Sequence, residues 1–117
     1  MTTLVAVVDD DPRIRELFAS ELEELGSEVM SYRDGSALLA DDRLNQMKLV
    51  LLDWVMPGLD GESTLRALKN QAFRAPVVVV TALSDPGVRE IAQREGAEAT
   101  LLKTEVIDQL PQLLNRA

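Results

Sequence analysis

Three short apolar runs, Leu4–Val8, Leu49–Leu52 and Val77–Val80, limit what this chain can become. Each is rich in β-branched residues and lacks polar alternation, so none keeps a face for water. They predict strands buried on both sides, the situation of a parallel sheet covered by helices above and below. Weaker strand candidates at Glu28–Ser31 and Glu98–Leu102 bring strand starts to about every 20–28 residues, with helical patterns between them. The expectation is an α/β fold: a doubly wound, five-stranded parallel sheet in the order 2-1-3-4-5, with helices on both faces, flavodoxin-like.

The helical segments carry their own punctuation. Asp11 can cap a helix with Pro12 at its first position, and Ile14, Leu17, Phe18, Leu22 and Leu25 then keep a three-to-four spacing up to Gly26. Asp85-Pro86 repeats the device ahead of Val88, Ile91 and Ala92, with Gly96 as the stop, and Asp60 can cap a helix carrying Leu65 and Leu68. A second helix is expected near Ser36–Leu44. Pro111 would remove a hydrogen bond from a helix interior, so the last helix is expected to start at about Asp108 and to be short.

At 117 residues the chain is expected to be one domain over 1–117. No apolar run reaches the ~18–20 residues that cross a bilayer, and Met1-Thr2-Thr3 lacks the basic flank of a signal peptide, so a cytoplasmic protein without membrane contact is expected. Cysteine and histidine are both absent, which excludes disulfides, thiolate nucleophiles, Cys/His zinc sites and histidine general bases. The net charge is −8, and residues 1–60 hold 13 acids against 5 bases while residues 61–117 hold 7 of each. Such a surface repels phosphodiester backbones and anionic lipid, so direct nucleic-acid binding is not expected. The six glycines make neither GxGxxG nor GxxxxGK, so the two common nucleotide-binding loops are missing.

What chemistry remains uses oxygen and lysine. In a parallel sheet all strands end at one edge, and ligands sit there beside the point where strand order reverses. Asp9 and Asp10 end the first strand, Asp53 the third and Thr81 the fourth, and Lys103 follows the fifth. Three converging carboxylates repel one another unless a cation or a proton compensates. Without soft ligands the ion should be hard, and Mg2+ suits carboxylate and carbonyl oxygens while leaving positions for water and phosphate. Lys103 offers a compact charge and Thr81 a hydroxyl donor for further phosphoryl oxygens. The constellation describes phosphoryl transfer to an aspartate. Taken singly, Thr81 would be an ordinary strand threonine and Lys103 an ordinary surface lysine. Asp11 and Asp60 read better as helix caps, Asp41-Asp42 as a solvated turn, and Trp54 and Met56 as packing. Asp53 is different, because an unpaired carboxylate at the end of a Leu/Val strand is costly.

Four stretches in order, VVDDD (Val7–Asp11), LLDWVMPGLDG (Leu51–Gly61), VVVVTA (Val77–Ala82) and LLK (Leu101–Lys103), resemble the receiver domain of two-component response regulators over essentially the whole chain. That resemblance implies Asp53 as phosphoacceptor, Asp10 as a direct Mg2+ ligand, Asp9 as a ligand through water, and Val55 as a ligand through its backbone carbonyl. Thr81 would be the switch hydroxyl and Lys103 the phosphate-pairing amine. It also implies a sensor histidine kinase or phosphotransfer protein upstream, an effector protein or domain downstream, a possible phosphorylation-dependent dimer, and a signalling module rather than an enzyme. Three departures stand out: Thr104 follows Lys103 where the family usually has proline, Thr100 occupies the place of the aromatic switch residue, and the final helix looks shortened. The peptide after Lys103 is therefore expected to be trans. Val55 and Leu83, two after Asp53 and two after Thr81, cannot hydrogen-bond an attacking water, so slow loss of the phosphoryl group is expected.

Two other readings fit parts of the chain. Asp9-Asp10-Asp11 satisfies the DxD core of haloacid-dehalogenase-type phosphatases, which would make Asp9 the nucleophile, but Arg13 stands where that motif has Thr or Val and no room remains for a cap domain. A degenerate receiver acting only as a protein-binding module would accommodate Thr100 and Thr104, and the intact five-residue site speaks against it.

Overall fold

The computed structural model describes residues 2–56, 58, 60–82 and 84–116. Pro57 and Leu59 of the motif after Asp53, and Leu83 beyond Thr81, lie outside the described residues. The elements run β1 (Leu4–Val8), α1 (Pro12–Glu24), β2 (Glu28–Tyr32), α2 (Gly35–Leu39), a 3-10 turn (Leu44–Gln46), β3 (Leu49–Asp53), α3 (Gly61–Asn70), β4 (Val77–Thr81), α4 (Pro86–Arg94), β5 (Ala99–Leu102) and α5 (Val106–Arg116). The strands form one parallel sheet in the order β2-β1-β3-β4-β5, as the buried runs and their spacing predicted. β1, β3 and β4 are buried at every residue, and the flanking β2 and β5 only in part.

Strand alternation sends side chains into two cores. Val5, Val7, Leu49, Leu51, Val78 and Val80 meet Phe18 and Leu22 of α1 and Val106, Leu110 and Leu113 of α5. Ala6, Val8, Val50, Leu52, Val77 and Val79 meet Leu38 of α2, Leu65 and Leu68 of α3 and Ala92 of α4. The expected caps are in place: Asp11, Asp60 and Asp85 accept from the Arg13, Ser63 and Gly87 amides at 2.9, 2.8 and 2.8 Å.

Three local expectations fail. The second helix covers Gly35–Leu39 and yields to the separate 3-10 turn, because Asp41 turns inward. Its carboxylate accepts from the Tyr32 hydroxyl and the Arg43 amide, so of the Asp41-Asp42 pair only Asp42 is the exposed turn residue that was expected. The last helix starts at Val106 with Pro111 inside it, longer than expected. Pro111 removes the bond that residue 111 would donate to the Ile107 carbonyl, a defect costing about 3 kcal/mol. Burial of Val106, Leu110 and Leu113 contributes roughly 1.5–3 kcal/mol each and outweighs it.

Candidate functional site

Counting alternately along β1 and β3 puts Asp9 and Asp53 on the α1/α5 side of the sheet, and the count along β5 puts Lys103 there too. Asp9 and Asp53 are 2% and 4% exposed, whereas Asp10 is open to solvent. One carboxylate oxygen from each of the three lies within 4.8 Å of the others. Lys103 Nζ stands 3.2 Å from Asp9 Oδ2 and 3.7 Å from Asp53 Oδ2. The sequence-predicted carboxylates and amine are thus brought together. Thr81 ends β4 at the same edge, 8% exposed, and its carbonyl accepts the Lys103 amide at 2.8 Å.

The electrostatics follow from that crowding. Burial, reinforced by Asp9 and Asp10, pushes the Asp53 carboxyl up to about 7, against the opposing pull of Lys103 and a hydrogen bond from the Val55 amide. Burial disfavours the Lys103 ammonium, but attraction from Asp53, Asp9 and Asp10 overcomes it and holds the amine above its usual range. One lysine facing three carboxylates leaves excess negative charge, and every donor is a hard oxygen. The set fits Mg2+. Val55, whose amide donates to the Asp53 carboxylate, is itself 75% exposed.

Two supporting residues, Arg15 and Glu105, escaped the sequence reading, and Gly61, quoted there only within a motif, acquires its physical reason. Arg15, in the first turns of α1, donates from Nη1 to the Asp9 carbonyl at 2.7 Å, while Asp9 Oδ1 accepts the Asp11 amide at 2.9 Å. Glu105 Oε1 accepts the Leu102 amide at 2.8 Å and closes the turn that carries Lys103. A Cβ at Gly61 would stand 2.6 Å from the Asp53 carbonyl and from Trp54 Cα, so only glycine lets α3 begin this close to the aspartate's backbone. An arginine a few residues past an acidic pair is a weak signal, and the motif that ends at Gly61 marks the glycine without disclosing the contact that requires it. The peptide after Lys103 is trans, in line with Thr104.

A family model for the response regulator receiver domain matches residues 5–115. The chain is 33% identical over 114 residues to the DNA-binding transcriptional regulator NtrC of Salmonella typhimurium, covering 97% of this chain and 24% of that protein. It is 32% identical over 99 residues to the probable transcriptional regulator ycf27 of Porphyridium aerugineum, covering 85% and 41%. The chain therefore spans less than half the length of these relatives. Among solved structures it superposes on the Vibrio cholerae chemotaxis protein CheY4 with a TM-score of 0.89 at 25% identity over 99% of this chain and 98% of that one. The BeF3-activated N-terminal receiver domain of Klebsiella pneumoniae RstA gives 0.88 at 28% identity over 97% and 96%. Sheet order, acidic edge and sequence matches agree: this chain belongs to the response regulator receiver domain family.

Proposed function

We propose that residues 1–117 act as one receiver domain whose Asp53 takes a phosphoryl group from a phosphohistidine on a sensor histidine kinase or phosphotransfer protein. The observation that carries this reading is a buried aspartate facing a lysine amine and two further carboxylates at the open edge of the sheet. An Asp53 oxygen attacks phosphorus, a P–O bond forms as the P–N bond breaks, and the released electron pair stays on the imidazole. Lys103 pairs with a phosphoryl oxygen, and the Thr81 hydroxyl donates to another. Asp10, Asp53 and the Val55 carbonyl would hold Mg2+, with Asp9 acting through water; the ion supplies neutralisation of charge between carboxylate and phosphoryl oxygens. The domain is a signalling module, not an enzyme, and its phosphorylated state would engage a downstream effector protein or domain, or a second receiver, without contacting nucleic acid or membrane itself. Among the described residues no helix is long and apolar enough to cross a membrane.

Incubation with acetyl phosphate and Mg2+, followed by intact mass measurement and peptide mapping, tests the assignment. One phosphoryl group should appear on Asp53, and Asp53→Asn should take none. Undiminished labelling of Asp53→Asn at Asp9 would instead support the phosphatase-type chemistry and overturn the proposal.

A further inference from the structure

At the sheet edge opposite Asp53, where β3 and β4 begin, lies a cleft of about 570 Å³. Met47, Phe73, Ala75 and Pro76 form a buried to half-buried apolar floor, and the exposed Lys48, Arg74 and Arg116 stand among the lining residues. No lining residue is acidic. Lys48 and Arg74 make no ion pair or side-chain hydrogen bond among the described residues, and Arg116 has only a 3.8 Å pairing with Glu98. In a chain of net charge −8, most other cations are already engaged by the protein itself: Arg13, Arg43, Arg66 and Arg94 in ion pairs, Arg15 and Lys69 on carbonyls, Lys103 in the acidic cluster. Uncommitted positive charge around an apolar floor is what an acidic ligand with an apolar anchor requires.

We propose that this cleft docks an acidic segment of a partner protein, with an apolar side chain on the Met47–Phe73–Pro76 floor and flanking carboxylates on Lys48 and Arg74. Elsewhere the acid-rich first half of the chain repels such a segment, and residues 61–117 are balanced in charge, so an acidic segment gains most where Lys48, Arg74 and Arg116 gather without a lining acid. Five residues of strand, about 16 Å, separate it from the acidic edge, so both sites can be occupied together.

The backbone holds the cleft in shape. Ala72 takes a left-handed φ of 56° at the end of α3, where the Phe73 and Ala72 amides donate to the Leu68 and Lys69 carbonyls. The Pro76 carbonyl accepts the Val50 amide at 3.0 Å and the Leu4 carbonyl accepts the Lys48 amide at 2.8 Å. Both rims are therefore fastened to the sheet.

The test is a titration of the isotope-labelled protein, followed by amide NMR, with a short peptide in which glutamates flank a central Leu-Phe pair. Its glutamine counterpart, citrate and a single-stranded oligonucleotide serve as the other arms. Amides of residues 45–48 and 72–75 should shift with the glutamate peptide alone, the affinity should fall with added salt, and Lys48→Gln with Arg74→Gln should weaken it about tenfold. The same double variant should still take a phosphoryl group on Asp53 from acetyl phosphate, which shows that it is folded. Shifts confined to other surfaces, equal response to the glutamine peptide, saturation by citrate or the oligonucleotide at matched charge, or unchanged affinity in the double variant would each overturn the proposal.

Discussion

Asp53 is held in a place that favours its neutral form, and this shapes the behaviour of the metal-free domain. Its carboxyl is raised from 3.8 to about 7, first by burial and then by Asp9 and Asp10. A carboxyl whose folded value exceeds its unfolded one binds a proton in the native state that the unfolded chain has already released. Its contribution to stability is present in acid and lost as pH rises through the window from about 4 to about 7. The span corresponds to an order of 2–4 kcal/mol. Denaturant unfolding in chelator should therefore show stability falling across that window, and Asp53→Asn, which cannot ionise, should flatten the fall and leave the variant the more stable protein near neutrality. Mg2+ should restore the parent and do little for the variant. A parent whose metal-free stability rises over the same window would show that Lys103, at 3.7 Å, and not burial, controls this carboxylate.

Among the elements, helix ends reveal what the sequence could and could not disclose. α1, α3 and α4 all stop in the same way, with a left-handed residue whose following amide reaches back to the last turn; Gly26 and Gly96 occupy that place in two of them, and Ala72 in the third. Glycine made the first and last of these stops legible, whereas alanine hid the middle one. Alanine there carries a left-handed penalty of about 1 kcal/mol. Ala72→Gly should accordingly stabilise the fold by roughly 0.5–1 kcal/mol, read as a higher denaturation midpoint at unchanged slope. The same logic explains the other successes and misses. β1, β3 and β4 were legible because burial on both faces leaves an uninterrupted β-branched run, and the caps Asp11, Asp60 and Asp85 because each precedes an apolar helical period. α5 was misread because local propensity argued from Pro111 alone, while the apolar face of Val106, Leu110 and Leu113 is recognisable only against a sheet. Asp41 was misread because its partner, Tyr32, stands at the end of a different element. Arg15 and Glu105 act through backbone groups brought near by the fold, which no spacing rule reports.

For the molecule as a whole, the question is how charge placed at Asp53 would reach a partner. Register pairs Val79 with Thr100 and Thr81 with Leu102, so Thr81 and Thr100 fall on the same side of the sheet, the side that α4 covers. Between them and the start of α4 is a cavity of about 130 Å³, lined also by Ser84, Asp85, Arg89 and Glu105. An aromatic ring at residue 100 would occupy such space; Thr100 does not, and it is itself 9% exposed. A phosphoryl group on Asp53 would draw the Thr81 hydroxyl toward it through a charge-assisted hydrogen bond contributing about 1.5–3 kcal/mol, enough to shift a two-state loop. Because Thr100 is too small to act as a rotamer gate, the displacement should pass along the chain into Ser84, the Asp85 cap and the first turn of α4, whose residues 84–87 are all exposed. Beryllofluoride, a phosphoryl mimic, should then change amide hydrogen exchange most in residues 84–90 and least in residues 98–102, with Thr81→Ala removing the change while leaving Asp53 able to accept phosphate. A dominant change around Thr100 would mean that β5 carries the signal without an aromatic residue, and a change that persists in Thr81→Ala would remove the hydroxyl from the route altogether.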